Sequence, residues 1–392
     1  MTDVAARLEQ LRDRGLYRRL RLIEGPQGPK VLLDGRPVTL LCSNNYLGLA
    51  DHPQVREAAA EAALRWGAGA GASRLVSGNM EPHRRLERRL AAFKGCEAAL
   101  LFGSGYLANS GIVAALAGAG EVVFSDELNH ASIVDGCRLA RAETFVYRHG
   151  DLEHLAWGLS EAGARAALIV SDGVFSMDGD VAPLPGLAEL ARRHGCRLMI
   201  DEAHATGALG PGGRGSVAAA GLGEEVDVVV GTLGKALGSY GAYACANAET
   251  VDFLLNSARS FIFSTAPPPP SVAAAAAALE LVDEDRVGRL QANAAGFRTA
   301  LAAEGLGDHR SQTQIVPIEV GAAEAAMALC ERLLERGVFA QGIRPPTVPE
   351  GSSRLRFTVM ATHEAEQLED AARLAGAAVR ELGLATPPAL AA

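Results

Sequence analysis

Lysine is nearly missing from this sequence: among 37 basic residues only Lys30, Lys94 and Lys235 are lysines, so any lysine chemistry must come from one of three positions. An excess of positive charge is lacking too. The 46 acidic residues against 37 basic ones leave a net charge of −9, which excludes the electrostatic footprint of a non-specific nucleic-acid binder. The opening "MTDVAARLEQLRDRGL" carries charges where an export leader needs an apolar stretch, which predicts a cytoplasmic chain. Cysteines stand at 42, 96, 137, 196, 245 and 330 without a CxxC pair or a Cys/His cluster at zinc spacing, which predicts reduced thiols and no structural metal. Internal repeats are absent. So is an uninterrupted membrane span: the uncharged stretch Ala98–Gly120 is long enough for a bilayer of about 30 Å, but glycines, serines and Asn109 divide it. It reads instead as a strand "AALLF", a turn "GSGY" and a helix "LANSGIVAALA", whose N-terminus offers free N–H groups to a phosphate. Taken alone, the segment fits a plain turn equally well.

What is present is a long alternation. After an N-terminal amphipathic helix and a hairpin around Asp34-Gly35, strand-like runs recur between helix-like ones: "AALLF", "EVVFSD", "ETFVYR", "AALIVSD", "RLMIDEA", "VDVVVGT", "GAYACA". This predicts an α/β fold with a mostly parallel, doubly wound sheet. The length of 392 residues suggests two or three domains. We place an N-terminal segment at 1–45, a large domain at 46–265 and a smaller C-terminal α+β domain at 266–392, its last residues, about 385–392, a disordered tail. Beyond "PPPP" at 267–270, "SVAAAAAALELVDEDRVGRL" reads as one long helix, followed by strands "QIVPIEV" and "SRLRFTV".

Lys235 sits four residues beyond Gly231, where the β-branched run "VDVVV" stops. By itself such a lysine is a solvated surface charge. Its context argues otherwise, because ligands of open α/β sheets gather beyond the carboxyl ends of buried parallel strands. A lysine confined there can lose solvation and act as a nucleophile or base. Upstream, "RLMIDEAHATG" places Asp201 at another strand end and His204 three residues on; an acid there could equally be a helix cap. Asp-x-x-His and Thr-x-x-Lys at two strand ends fit a single demand. A carboxylate can hold a pyridinium nitrogen protonated, shifting its pKa by about 1–3 units; His204 can bond a phenolic oxygen and Thr232 a phosphate. These are the needs of pyridoxal phosphate.

The segments "SNNYLGL", "GSGYLAN", "NHASIVDG", "SDGVFSMDGD", "IDEAHATGALG", "GTLGKALG" and "FSTAPPP" occur in an order that resembles the α-oxoamine synthases, a family of fold-type-I pyridoxal phosphate-dependent transferases, over nearly the whole chain. The resemblance implies Lys235 as the cofactor-linking lysine, Asp201 at the pyridine nitrogen, His204 at the ring hydroxyl and His130 stacked on the ring. It implies Ser176 at the ring oxygen, Gly105, Tyr106 and Thr232 at the phosphate, and Ser264 and Thr265 reaching the phosphate of the other subunit of a homodimer. Arg18, Asn44, Arg344 and Arg356 match positions that face substrate. Position 172 departs from the pattern: it is aspartate where some members carry the longer glutamate. Of Arg354 and Arg356 on one strand, one is expected to face the site and the other solvent.

"IRPPTVPEGSSRLRFTV" resembles the branch of this family that condenses L-alanine with a pimeloyl thioester, carried on coenzyme A or acyl carrier protein, to a biotin precursor. Other members pair glycine with acetyl-CoA or succinyl-CoA, or serine with a long acyl-CoA, and only the substrate-facing positions separate them. An inactive regulatory subunit is disfavoured by the presence of both Lys235 and Asp201. An aminotransferase of the same fold would need a keto-acid acceptor and release no carbon dioxide.

Overall fold

The computed structural model describes residues 3–306 and 310–384; the tail expected at 385–392 lies outside the described residues. The chain divides into two compact units. One comprises residues 49–176 and 180–287, the other the residues up to 48, 177–179 and those from 288 onward.

The first of these is built on a seven-stranded sheet. Its strands in chain order are β1 (Ala98–Phe102), β2 (Val122–Asp126), β3 (Glu143–Tyr147), β4 (Ala166–Asp172), β5 (Arg197–Asp201), β6 (Val228–Thr232) and β7 (Ala242–Ala246). They lie in the order β1-β7-β6-β5-β4-β2-β3. β7 runs antiparallel to both of its neighbours, and the pairings from β6 to β3 are all parallel. Apolar runs become these strands because helices such as Gly105–Leu116 and Ala131–Ala140 pack against the sheet and bury its residues. Each fully buried Val, Leu or Phe contributes roughly 1.5–3 kcal/mol. The stretch that mimics a membrane span is split between β1 and the helix Gly105–Leu116. Among the described residues no helix is long and apolar enough to cross a membrane.

The expected single helix beyond "PPPP" is two helices, Pro269–Glu280 and Glu284–Ala303. The break has a local cause. Asp283 Oδ1 accepts the Arg286 N–H at 2.7 Å, so the aspartate caps the start of the second helix instead of continuing the first.

In the other unit, Lys30–Leu33 and Arg36–Leu40 pair antiparallel around Asp34-Gly35. A second sheet orders Ile315–Gly321, Ser353–Thr358 and Gln341–Ile343, all antiparallel. Its core includes Phe297, Phe357, Leu329 and Leu333. The N-terminal helix Val4–Asp13 is capped by Asp3 and buries none of its residues. Among the described residues, the amphipathic face of that helix therefore has no buried side chain.

Candidate active site

Four neighbouring parallel strands end in polar residues: Asp126 on β2, Asp172 on β4, Asp201 on β5 and Thr232 on β6. Register sets Asp172 directly beside Asp201. Two carboxyl groups buried this closely cannot both ionise freely. Burial, and then the Asp201 charge, raise the Asp172 carboxyl well above the ordinary carboxylate range, against the pull of the His130 N–H and of Lys235. Asp172 Oδ2 accepts the His130 backbone N–H at 3.0 Å. The shorter aspartate therefore orients the segment carrying His130.

Lys235 is partly buried, and its Nζ lies 2.9 Å from His204 Nε2, whose residue is 7% exposed. Asp201 has both oxygens engaged. Oδ1 accepts the Ala203 N–H at 2.8 Å and Oδ2 accepts from Asn109 Nδ2 at 2.6 Å. The same Asn109 amide donates to Ser132 Oγ at 2.9 Å, and Ser132 Oγ lies 2.7 Å from His130 Nδ1. One chain of hydrogen bonds thus joins Asp201 to His130. His130 caps the helix Ala131–Ala140, and its Nδ1 accepts the Ser132 N–H at 3.2 Å. Although its surface is open to solvent, the imidazole is recessed among protein groups; desolvation and the Lys235 charge hold it below its ordinary pKa, against Asp201.

The turn after β1 forms a corner at a helix N-terminus, whose N–H groups suit an anion. Ser104 caps the helix Gly105–Leu116 by accepting the Leu107 N–H at 3.2 Å. The N–H groups of Gly105 and Tyr106, in the first turn, have no acceptor within the helix. A Cβ on Gly105 would fall 2.8 Å from Thr232 Cγ2, so only glycine lets the helix end approach β6 this closely. Thr232 Oγ1 is buried and has no hydrogen-bond partner, a hydroxyl prepared for an acceptor. The Tyr106 ring points away, its hydroxyl donating to Asp135, so any contribution of Tyr106 to this corner is its backbone N–H. Ser176 is partly buried in the same unit. Ser264 is partly buried and Thr265 exposed, pairing with Ser73 as an isolated bridge.

Arg18, Asn44, Arg344 and Arg356 belong to the other unit. Asn44 and Arg356 meet at Tyr46: its hydroxyl donates to Asn44 Oδ1 at 3.1 Å and also bonds Arg356. Arg344 is buried, donates from Nη2 to the Tyr17 carbonyl at 2.8 Å and leaves Nε without a partner. Burial, and then the nearby Arg18 charge, lower its guanidinium from the usual value. Arg18 itself is exposed. The expectation that one of Arg354 and Arg356 is solvated fails: they are 6% and 7% exposed. Residues two apart on a strand share a face, and Arg354 is neutralised by Asp178. Asn109 and Asn129 were not expected in the site. Asn129 Oδ1 accepts the Asp172 N–H at 2.8 Å. The available signal was an amide inside an apolar helix and another next to a candidate histidine.

The sequence matches the family "Aminotransferase class I and II" over residues 36–374. An 8-amino-7-oxononanoate synthase of Geobacter sulfurreducens is 57% identical over 97% of this chain and 99% of its own length. The chain belongs to the α-oxoamine synthases within that aminotransferase family. Among solved structures, a serine palmitoyltransferase from S. paucimobilis holding pyridoxal phosphate superimposes with a TM-score of 0.92 at 33% identity, covering 97% of each chain. The 8-amino-7-oxononanoate synthase of Francisella tularensis gives 0.77 at 27% identity, covering 88% of this chain and 99% of its own. The family's fold-type-I architecture is the one seen here, with a mostly parallel seven-stranded sheet.

Proposed function

We propose that this chain condenses L-alanine with a pimeloyl thioester, on coenzyme A or acyl carrier protein, to give 8-amino-7-oxononanoate, carbon dioxide and the free thiol carrier. This is an enzyme of the kind its relatives are named for, an acyltransferase dependent on pyridoxal phosphate. The observation that carries the reading is the grouping of Lys235 2.9 Å from His204 with the buried Asp201 and the corner formed by Gly105 and Thr232, on a chain 57% identical over its length to such a synthase.

The residues present fit the cofactor. The partnerless Thr232 hydroxyl and the N–H groups of Gly105 and Tyr106 suit its phosphate. Asp201 suits the ring nitrogen, His204 and Ser176 the ring oxygen, and His130 the ring face. When bound, the cofactor supplies an electron sink for the carbanion at alanine Cα. Lys235 holds the cofactor at rest and takes the Cα proton once alanine is in place. Asp201, fixed by Asn109 and Ala203, keeps its negative charge directed at one spot. The net reaction forms a carbon–carbon bond between alanine Cα and the thioester carbonyl, breaks the C–S bond to free the thiol, releases carbon dioxide and returns a proton to Cα, with Lys235 the residue suited to move that proton. His130 is available to the incoming acyl oxygen. Arg356 serves alanine's carboxylate, Arg344 the amino-acid or acyl side, Asn44 the substrate through the same Tyr46 hub, and Arg18 the acyl side. A homodimer in which Ser264 and Thr265 reach the partner's phosphate completes the reading, with the enzyme acting in the cytoplasm.

The serine palmitoyltransferase likeness concerns the path of the backbone, whereas substrate choice resides in side chains, where 57% identity counts for more than 33%. Product identification by mass spectrometry decides between them. Alanine, glycine and serine are offered with pimeloyl, acetyl, succinyl and palmitoyl thioesters. Alanine with pimeloyl is expected to dominate; glycine with acetyl-CoA, or serine with palmitoyl-CoA, as the best pair would overturn the substrate assignment.

A further inference from the structure

A second lysine is buried in the same unit as Lys235, and nothing in the reaction above uses it. Lys94 and Glu202 form an ion pair whose side chains are 3% and 0% exposed. Glu202 directly follows Asp201, and Thr206 stands two residues beyond His204. The Lys94 ammonium donates to the Glu202 carboxylate, to Thr206 Oγ1 at 2.9 Å and to the Arg214 carbonyl at 2.6 Å, which uses all three of its N–H bonds. Glu202 Oε1 accepts from Ser216 Oγ at 2.9 Å and the Val217 N–H at 2.7 Å. Thr206 Oγ1 also lies 2.9 Å from the Tyr243 hydroxyl. Within the turn, the Glu202 carbonyl accepts the N–H groups of Ala205 and Thr206 at 3.0 and 2.9 Å. The loop that carries His204 is therefore closed by backbone bonds and tied at both ends to one buried cation.

We propose that Lys94, Glu202 and Thr206 are positioning residues that set the His204 imidazole against Lys235 and the oxygen of the cofactor ring. The proposal rests on the reading of His204 as that oxygen's partner. Burying an ion pair is a poor way to gain stability, since apolar replacements often do as well. A fixed three-way tether is what the pair supplies that apolar side chains cannot. Hydrogen bonds weaken steeply with misalignment, and a displacement of about 1 Å in a positioned group can lose roughly 100-fold in rate. Burial disfavours the Lys94 ammonium, but Glu202 outweighs it and holds the pKa above the ordinary lysine value, so the tether stays charged throughout the working range.

The test uses the full-length enzyme reconstituted with pyridoxal phosphate. Thr206→Val removes one arm of the tether and keeps the side-chain shape. It is expected to shift the pH at which the visible absorbance of the bound cofactor changes by about half a unit or more. It should also lower kcat roughly tenfold with the KM for alanine within about twofold. Thr206→Ser, which keeps the hydroxyl, is expected to restore both. A Thr206→Val enzyme with the parent's spectral titration and kcat overturns the proposal, and so does one altered only in thermal stability. If Thr206→Val yields no folded protein, Lys94→Arg decides. It keeps the charge opposite Glu202 but cannot reproduce the compact donor set, so the spectral shift is expected again and an unshifted titration is the refuting result. A parent enzyme that binds no chromophore would sink the underlying reading of His204 instead.

Discussion

Replacing Asp201 by asparagine separates charge from shape. The carboxylate accepts the Ala203 N–H at 2.8 Å and the Asn109 amide at 2.6 Å. An asparagine has only one acceptor. With its oxygen kept on the Ala203 N–H, its NH2 faces the Asn109 NH2. Asn109 can turn over and offer its own Oδ1, which is buried without a partner, but then gives up the 2.9 Å bond to Ser132. The structural loss is thus the neutral Asn109–Ser132 hydrogen bond together with the charge on the acceptor facing Asn109, about 1–3 kcal/mol, which leaves a chain of this size folded. The chemical loss is separate. A neutral amide cannot hold a protonated ring nitrogen, and an opposite charge in contact is worth about 1–3 pKa units, or about 1.4–4 kcal/mol. Carbanion formation should slow roughly 10- to 1000-fold. The assay is exchange of alanine's α-proton in deuterated water, followed by NMR without any thioester, on enzyme whose bound cofactor has been verified by its visible absorbance. Exchange at the parent's rate in a cofactor-loaded Asp201→Asn enzyme would refute the electronic role.

Lys235→Ala should lose the borohydride-reducible link to the cofactor and nearly all turnover; in the parent, peptide mapping that finds the reduced label on Lys30 or Lys94 contradicts the assignment. Arg356→Ala removes a charge-assisted contact worth about 1.5–3 kcal/mol, so the KM for alanine should rise at least about tenfold. An unchanged KM in a folded variant rules that role out. Burial lowers the His363 pKa to about 4, against the Leu40 carbonyl, which accepts from Nε2 at 3.1 Å and favours the protonated ring; Nδ1 accepts the Met360 N–H at 2.9 Å. A depressed basic group stabilises above its unfolded pKa of about 6.5, and that contribution disappears as pH falls toward 4. Denaturant unfolding should therefore reveal up to roughly 3 kcal/mol lost between pH 7 and 4 that His363→Asn does not lose. His149 has the opposite sign. Asp126 and Asp180 overcome the opposing effect of burial and raise its pKa to about 10, so its contribution is complete below about pH 6.5 and vanishes as pH rises through 10. A His149→Gln penalty equal at pH 6 and pH 10 would contradict this.

The strands were legible because each is a continuous apolar run ended by glycine or a polar residue, and both signals are local. Asp201, His204, Thr232 and Lys235 were legible for the same reason: each lies at or just beyond the end of such a run. The break at Leu281–Asp283 was missed because an aspartate in a charged stretch reads as a helix surface, and its capping role appears only when its carboxylate meets the Arg286 N–H. Arg354 was misjudged through period: two residues apart means the same face, and its partner Asp178 is 176 positions away.

The sequence by itself determined which segments become strands and helices, where glycine permits a helix end to approach a strand, and which side chains stand at the strand ends, because these depend on neighbours a few residues away. Only the tertiary structure decided the sheet order, with β1 placed beyond β7, and the pairings that give the site its electrostatics. Asn109 meets Asp201 across 92 residues and Lys94 meets Glu202 across 108. Contacts of that span depend on the path of the whole chain, and the hydrophobic packing that sets the path carries no mark at either partner's place in the sequence.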